Sequence, residues 1–172
     1  ANKCIHGLPG VSFVLHRKMD FPRIKDIPSR SVYLDLIEHL KAQEIGDSLF
    51  TPAVQAHYAL DTALDELLEE TVCGRIKRYR KVAGNLREGF KEIGLEFLIP
   101  EDQQSNCLTA LKISNGISYD WLHDKLKENG FIIYAGQGLF NRKIFRIANM
   151  GNIQDEEFAL CLKILKECFA KA

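Results

Sequence analysis

The sequence carries no net charge, since Lys+Arg 23 balances Asp+Glu 23. That removes the electrostatic reason to expect nucleic acid or an anionic membrane as a partner. It has no apolar run approaching the roughly 20 residues that span a bilayer. No basic-then-apolar leader opens it, so secretion is not expected, although a leader further upstream would leave no mark here. Its cysteines are Cys4, Cys73, Cys107, Cys161 and Cys168, and no Cys-x-x-Cys pair occurs. An odd count without that spacing argues against a disulfide framework and a zinc site, and suits a reducing cytoplasm. The histidines His6, His16, His39, His57 and His123 show no metal-ligand spacing. Gly136-Gln137-Gly138 is too short for a dinucleotide-binding fingerprint and reads as a turn beside Arg146. No repeat or low-complexity stretch is present.

What is there is an ordinary globular composition, 46% hydrophobic and 27% charged over 172 residues. That length fits one domain, or a small domain with a piece of another. Val11–Leu15 follows a Gly/Pro turn and reads as a strand. Residues 16–30, with Pro22 and Pro28, read as a loop with at most one helical turn. Tyr33, Leu36, Ile37 and Leu40 predict a short amphipathic helix ending before Gly46. Thr51-Pro52 reads as a helix start. The helical pattern from there to residue 92 is long enough to need a break, placed at Gly74, with Gly94 as its cap.

After Gly94 the rhythm changes. Leu95–Ile99, Leu108–Ile113, Phe131–Ala135 and Ile144–Ala148 are candidate strands. Ser118 caps a helix through Asn129, ended by Gly130, and a last helix covers residues 154–170. Cys161 and Cys168 read as small buried hydrophobes on its apolar face. The fold class is α/β: a long helix followed by a compact unit of about 80 residues.

Three residues are candidates for chemistry. Lys3, in Ala1-Asn2-Lys3-Cys4-Ile5-His6-Gly7-Leu8-Pro9-Gly10, is either a solvated lysine or an amine able to form an imine with an aldehyde cofactor. Only the neutral amine is nucleophilic, so burial or cationic neighbours would be needed to lower its pKa. Gly7, Pro9 and Gly10 are either an ordinary loop or a turn that fixes Lys3. Arg146, inside Ile144-Phe145-Arg146-Ile147-Ala148-Asn149, is either a fork for a carboxylate or phosphonate, or an outward or salt-bridged strand residue. Thr51 is a helix cap, a phosphate ligand, or both.

Four segments taken together carry a resemblance. They are Ala1–Gly10, Ser29-Arg30-Ser31-Val32-Tyr33-Leu34-Asp35-Leu36, Phe50-Thr51-Pro52, and Phe131–Gly136 followed by Phe145-Arg146-Ile147-Ala148-Asn149-Met150-Gly151. In order and spacing the chain resembles the class V pyridoxal-phosphate aminotransferases, and within them the branch acting on 2-aminoethylphosphonate and pyruvate. The resemblance implies the C-terminal part of a fold type I transferase. Residues 1–48 would end the large cofactor domain, 49–93 form the linking helix, and 94–172 the small α/β domain. It implies that Lys3 carries pyridoxal phosphate covalently. Thr51 reaches the cofactor phosphate of the other subunit of a homodimer, and Arg146 binds the acidic group of the substrate. The small-molecule partners implied are an amino donor and a 2-oxo acid, giving phosphonoacetaldehyde and alanine.

The chain departs from that pattern at Ala148, where the family often has glycine, and at Pro52-Ala53-Val54 beside Thr51. The family's phosphate-binding loop, ring-stacking aromatic and pyridine-binding aspartate lie upstream of the lysine, outside this sequence. Two alternatives therefore stand beside the phosphonate enzyme. One is an alanine- or serine–glyoxylate aminotransferase. The other is a segment that folds without catalysing, exposes apolar surface and binds pyridoxal phosphate weakly.

Overall fold

The structure, a computed structural model, describes residues 1–114 and 116–170. The chain divides into two compact units, Ala1–Leu64 and Asp65–Ala172.

The first unit has little core of its own. Its buried hydrophobic residues are Ala56 and Ala63, while Leu15 is 89% exposed and Val32 82%. Phe13, Met19, Ile27, Tyr33 and Leu34 are exposed as well, so the apolar surface expected from the sequence is present. Val11–Leu15 is not a strand. A segment becomes a strand only when a neighbouring strand takes its backbone hydrogen bonds in a ladder; here the Ala1 amine donates to Val11 O at 3.4 Å, and among the described residues no ladder forms. Two short turns, Lys18–Asp20 and helix α1 (Phe21–Ile24), occupy the expected loop. Helix α2 (Leu36–Glu44) starts later than its apolar pattern suggests. The Asp35 carboxylate accepts from the amides of Ile37 and Glu38, 3.0 and 3.1 Å away, and caps it there.

The long helical stretch is two helices, α3 (Val54–Glu70) and α4 (Val72–Ile93). The break is at Thr71 and not at Gly74, which lies in the first turn of α4. Thr71 has φ +68° and ψ +149°, a conformation that costs a β-branched residue about 1–3 kcal/mol. Its own hydroxyl helps to hold it there by accepting from Gly74 N at 3.0 Å. So does Glu70, whose carboxylate accepts from Arg75 Nε at 2.5 Å and Arg78 Nε at 2.6 Å. Arg78 also lies over the Tyr79 ring, 5.1 Å from its centroid, and donates to Gly151 O at 2.8 Å. One carboxylate therefore joins the end of α3, the first turns of α4 and the segment following the last strand.

The second unit holds the core. Three antiparallel strands, β1 (Leu108–Lys112), β2 (Tyr134–Ala135) and β3 (Ile144–Ala148), lie in the order β1-β3-β2. The expected strand at Leu95–Ile99 is a single bridge, Phe97 to Leu111, and Phe131–Ala135 pairs only at its end. Helix α5 (Tyr119–Glu128) is capped by Ser118, whose hydroxyl accepts from Trp121 N at 3.2 Å. Helix α6 (Asp155–Phe169) buries Cys161, Ile164, Leu165 and Cys168. These meet Leu86 and Phe90 of α4, Leu122 and Leu126 of α5, and Leu111, Phe145 and Ile147 of the sheet. Burial pushes the Cys161 thiol up to about 11, as expected of an inert core cysteine. Among the described residues no helix is long and apolar enough to cross a membrane.

Leu165→Ala is expected to destabilise the second unit by about 2–5 kcal/mol in denaturant unfolding. A loss under about 1 kcal/mol would mean that α6 does not close this core. The Glu70 carboxyl is held well below its ordinary value of 4.5, at about 2, chiefly by the hydrogen bonds from Arg78 and then by those from Arg75, against the opposing effect of burial. Because the folded-state value is depressed, its contribution is complete above pH 4.5 and disappears as the pH falls towards 2. Acid titration of thermal stability is expected to show this loss, and Glu70→Gln to flatten that part of the profile. An unchanged profile in the variant would detach Glu70 from the effect.

Candidate functional site

Lys3 opens a single 3₁₀ turn, Lys3–Ile5, and is itself in the left-handed region with φ +64°. An L-residue there costs roughly 1–2 kcal/mol, so the turn must be held from outside. His6 N donates to Lys3 O at 3.1 Å and Gly7 N to Ala1 O at 3.0 Å. A Cβ on Gly7 would stand 2.9 Å from Ala1 O, so only glycine lets the chain fold back this closely. Among the residues described, the Lys3 ammonium has no hydrogen-bond or ion-pair partner. It is exposed.

Thr51 is also exposed, and its hydroxyl has no partner among the described residues. It does not cap α3. Val54 N bonds to Pro52 O at 3.0 Å, which commits that carbonyl to a tight turn. The first helical carbonyl is that of Ala53, which accepts from Ala56 N and His57 N. The helix therefore begins two residues beyond the position that Thr51-Pro52 suggests.

The structure brings together two of the four motif segments. Ser29, Arg30, Ser31 and Val32 line an open cavity of about 570 Å³ with Asp35, Glu38, Leu49 and Phe50. Tyr33, Phe50 and His39 pack against one another beside it, with Tyr33 and Phe50 centroids 5.0 Å apart. His39 Nε2 is 2.8 Å from Tyr33 O. Thr51 thus follows an aromatic anchored to the cap of α2.

Arg146 lies in the second unit, at the centre of β3. Its neighbours Phe145 and Ile147 are buried, while Arg146 is half-buried on the opposite face. It pairs with Ala110 on one side and Tyr134 on the other. Its Nε donates to Ala135 O at 2.9 Å, and among the described residues no carboxylate answers its charge. The salt-bridge reading therefore does not hold. The Gly136–Phe140 turn roofs one end of this face, as its glycines suggest. A Cβ on Gly136 would come within 2.6 Å of Ile144 Cγ1, and nearer still to the Phe140 carbonyl. Tyr119 donates to Ile133 O at 3.0 Å and steadies the approach to β2, its phenol pushed up chiefly by burial.

The rest of the segment following Arg146 is pinned. Asn149 is buried, and donates through N to Cys107 O at 3.1 Å and through Nδ2 to Asn106 O at 2.9 Å. Gly151 N donates to Tyr79 OH at 3.2 Å, beside the Arg78 bond to Gly151 O. Arg87, buried on α4, holds the loop below Asn149 through Gln104 Oε1 and Ser105 O. The sequence pattern marks Arg146 as a candidate but not Tyr134, which pairs with it from a strand only two residues long. Nor does it identify Glu70, which acts through arginines five and eight residues away.

No family model matches the chain. Among curated proteins it is 33% identical over 171 residues to the 2-aminoethylphosphonate–pyruvate transaminase of Bacteroides fragilis, covering 97% of this chain and 47% of that protein. Among solved structures it is similar to ureidoglycine–glyoxylate aminotransferase from Bacillus subtilis, with a TM-score of 0.76 and 26% identity over 89% of this chain and 40% of that one. It is also similar to an aspartate aminotransferase from Thermus thermophilus, with a TM-score of 0.74 and 27% identity over 84% of this chain and 40% of that one. The chain spans about half the length of the curated relatives it matches. The α/β fold is that of the later part of a fold type I transferase. In sequence and in fold, the chain is similar to part of each of these aminotransferases.

Proposed function

We propose that the protein of which this chain is part is a pyridoxal-phosphate aminotransferase that moves the amino group of 2-aminoethylphosphonate to pyruvate, giving phosphonoacetaldehyde and alanine. The observation that carries the reading is the 33% identity to a transaminase of that name along 97% of the chain. Residues 1–48 belong to the large domain, 49–93 link, and 94–172 form the small domain. The exposed apolar side chains of the first unit support that division, since a larger domain would cover them.

The residues present fit the cofactor as far as they go. An amine without a partner at Lys3 suits covalent attachment, and a hydroxyl without a partner at Thr51 suits a phosphate oxygen. Pyridoxal phosphate supplies, when bound, an electron sink for negative charge on the substrate carbon that loses its proton. Lys3, once neutral, takes that proton from the substrate Cα and passes it on. Thr51 donates to the phosphate held by the other subunit, which makes the working form a homodimer. Arg146 receives the phosphonate in one half-reaction and the carboxylate in the other, through two parallel N–H donors. The cysteine pattern supports a cytoplasmic protein.

A second reading is an alanine- or serine–glyoxylate aminotransferase, favoured by the likeness to the ureidoglycine–glyoxylate enzyme. Turnover of 2-aminoethylphosphonate with pyruvate, set against serine or alanine with glyoxylate, decides between them. The absence of any phosphonate turnover would remove the first. In protein that includes the rest of the large domain, borohydride reduction with pyridoxal phosphate is expected to leave a covalent mass addition on Lys3. Lys3→Ala should abolish it and lower turnover at least about 100-fold. An addition that persists in the variant removes Lys3 from the role. The 172-residue chain alone is expected to take up little cofactor. A tight stoichiometric adduct there would overturn its reading as an incomplete site.

A further inference from the structure

One face of the three-stranded sheet is packed against the core and the other is not. On the uncovered face β3 presents Arg146 between Ala110 and Tyr134, its direct partners on β1 and β2. Residues directly opposite in antiparallel strands point to the same face, with Cβ atoms about 5 Å apart. The Tyr134 ring thus stands beside the Arg146 side chain on that face. It is 66% exposed, and its hydroxyl has no partner among the described residues. Arg146 uses Nε on Ala135 O, which directs its fork along β2, and both Nη groups remain available. On the other flank Ala110 offers only a methyl group, so nothing crowds the fork. The Gly136–Phe140 turn closes the end of the face nearest Ile144.

We propose that Tyr134 is a specificity-determining residue that distinguishes a phosphonate from a carboxylate at Arg146. The proposal rests on the reading of Arg146 as the residue that binds the acidic group. A carboxylate has two oxygens, and the two Nη donors satisfy it. A phosphonate has three, and the third needs a donor at the side of the fork. The Tyr134 hydroxyl is the neighbouring side-chain donor on this face. Tyr134 holds the phosphonate oxygen and leaves the carboxylate largely to Arg146.

The test is a titration of the isotope-labelled 172-residue chain, reading the Arg146 Nε and backbone amide resonances. The probes are 2-aminoethylphosphonate and 3-aminopropanoate, which differ only in the acidic group. The chain as it stands is expected to bind the phosphonate more tightly. Tyr134→Phe should weaken the phosphonate at least about 10-fold, the lower end for a hydrogen bond to a charged group. It should leave 3-aminopropanoate within about twofold. Because Tyr134 is exposed, an unchanged amide spectrum elsewhere certifies the fold. Arg146→Lys should weaken both ligands. Equal weakening of both probes by Tyr134→Phe, or none, overturns the role of Tyr134 and leaves that of Arg146 intact. Indifference of both probes to Arg146→Lys, or no saturable shift with either in the unsubstituted chain, overturns the reading of Arg146 and the proposal with it.

Discussion

Phe145 and Ile147 are buried on one face of β3, and a strand's period of two then puts Arg146 on the other. The rest of the second unit follows from that alternation. Helices α4, α5 and α6 cover the apolar face because Phe145, Ile147 and Leu111 must leave water. The opposite face keeps a guanidinium that no carboxylate neutralises among the described residues. A charge left in that state must find water or a ligand. The polar groups after the strand, Asn149 and Gly151, are tied to the loop before β1 and to α4, and pairing with β1 and β2 fixes Arg146 from both flanks.

The two units obey different rules. The second resembles a small domain with a single contiguous core. The first holds its shape through turns, caps and a few close approaches, such as Gly7 against Ala1 and the Asp35 cap of α2. Lys3 and Thr51 belong to this thinly buried part, and neither side chain has a partner among the described residues. Many apolar side chains of the same unit are uncovered, among them Phe13, Leu15 and Val32. The contrast with Arg146, whose strand is locked on both sides, is a contrast in how much of each environment these residues supply.

Much of the second unit was legible in the sequence because its signals are local. Ser118 and Gly130 bound α5, and the apolar face that carries Cys161 and Cys168 defines α6. The Ile144–Ala148 strand has the same bounds in sequence and structure. The misreadings share one cause, which is dependence on a partner elsewhere. Val11–Leu15 has the composition of a strand without a neighbour to bond it. Thr51-Pro52 has the composition of a helix start, but the Pro52 carbonyl is taken by Val54. Gly74 is the residue that propensity marks as a break, whereas the break falls at Thr71, whose strain is sustained by a carboxylate and two arginines. At the candidate site, residue type and neighbours mark Lys3 and Arg146 in the sequence, whereas Tyr134 is brought opposite Arg146 by strand register.

The four buried residues of α6 have a consequence for the order in which the molecule can form. The helix is the last element among the described residues, yet it supplies Cys161, Ile164, Leu165 and Cys168 to a core whose other members begin at Val82. During synthesis the sheet and α4 emerge first, and their apolar faces remain wet until residues 155–169 leave the ribosome. Closure of this core is therefore a late event, with α4 and α6 joined across a wide sequence separation. A ribosome that stalls or terminates before α6 releases a chain with an unclosed sheet, a ready substrate for chaperones and proteases.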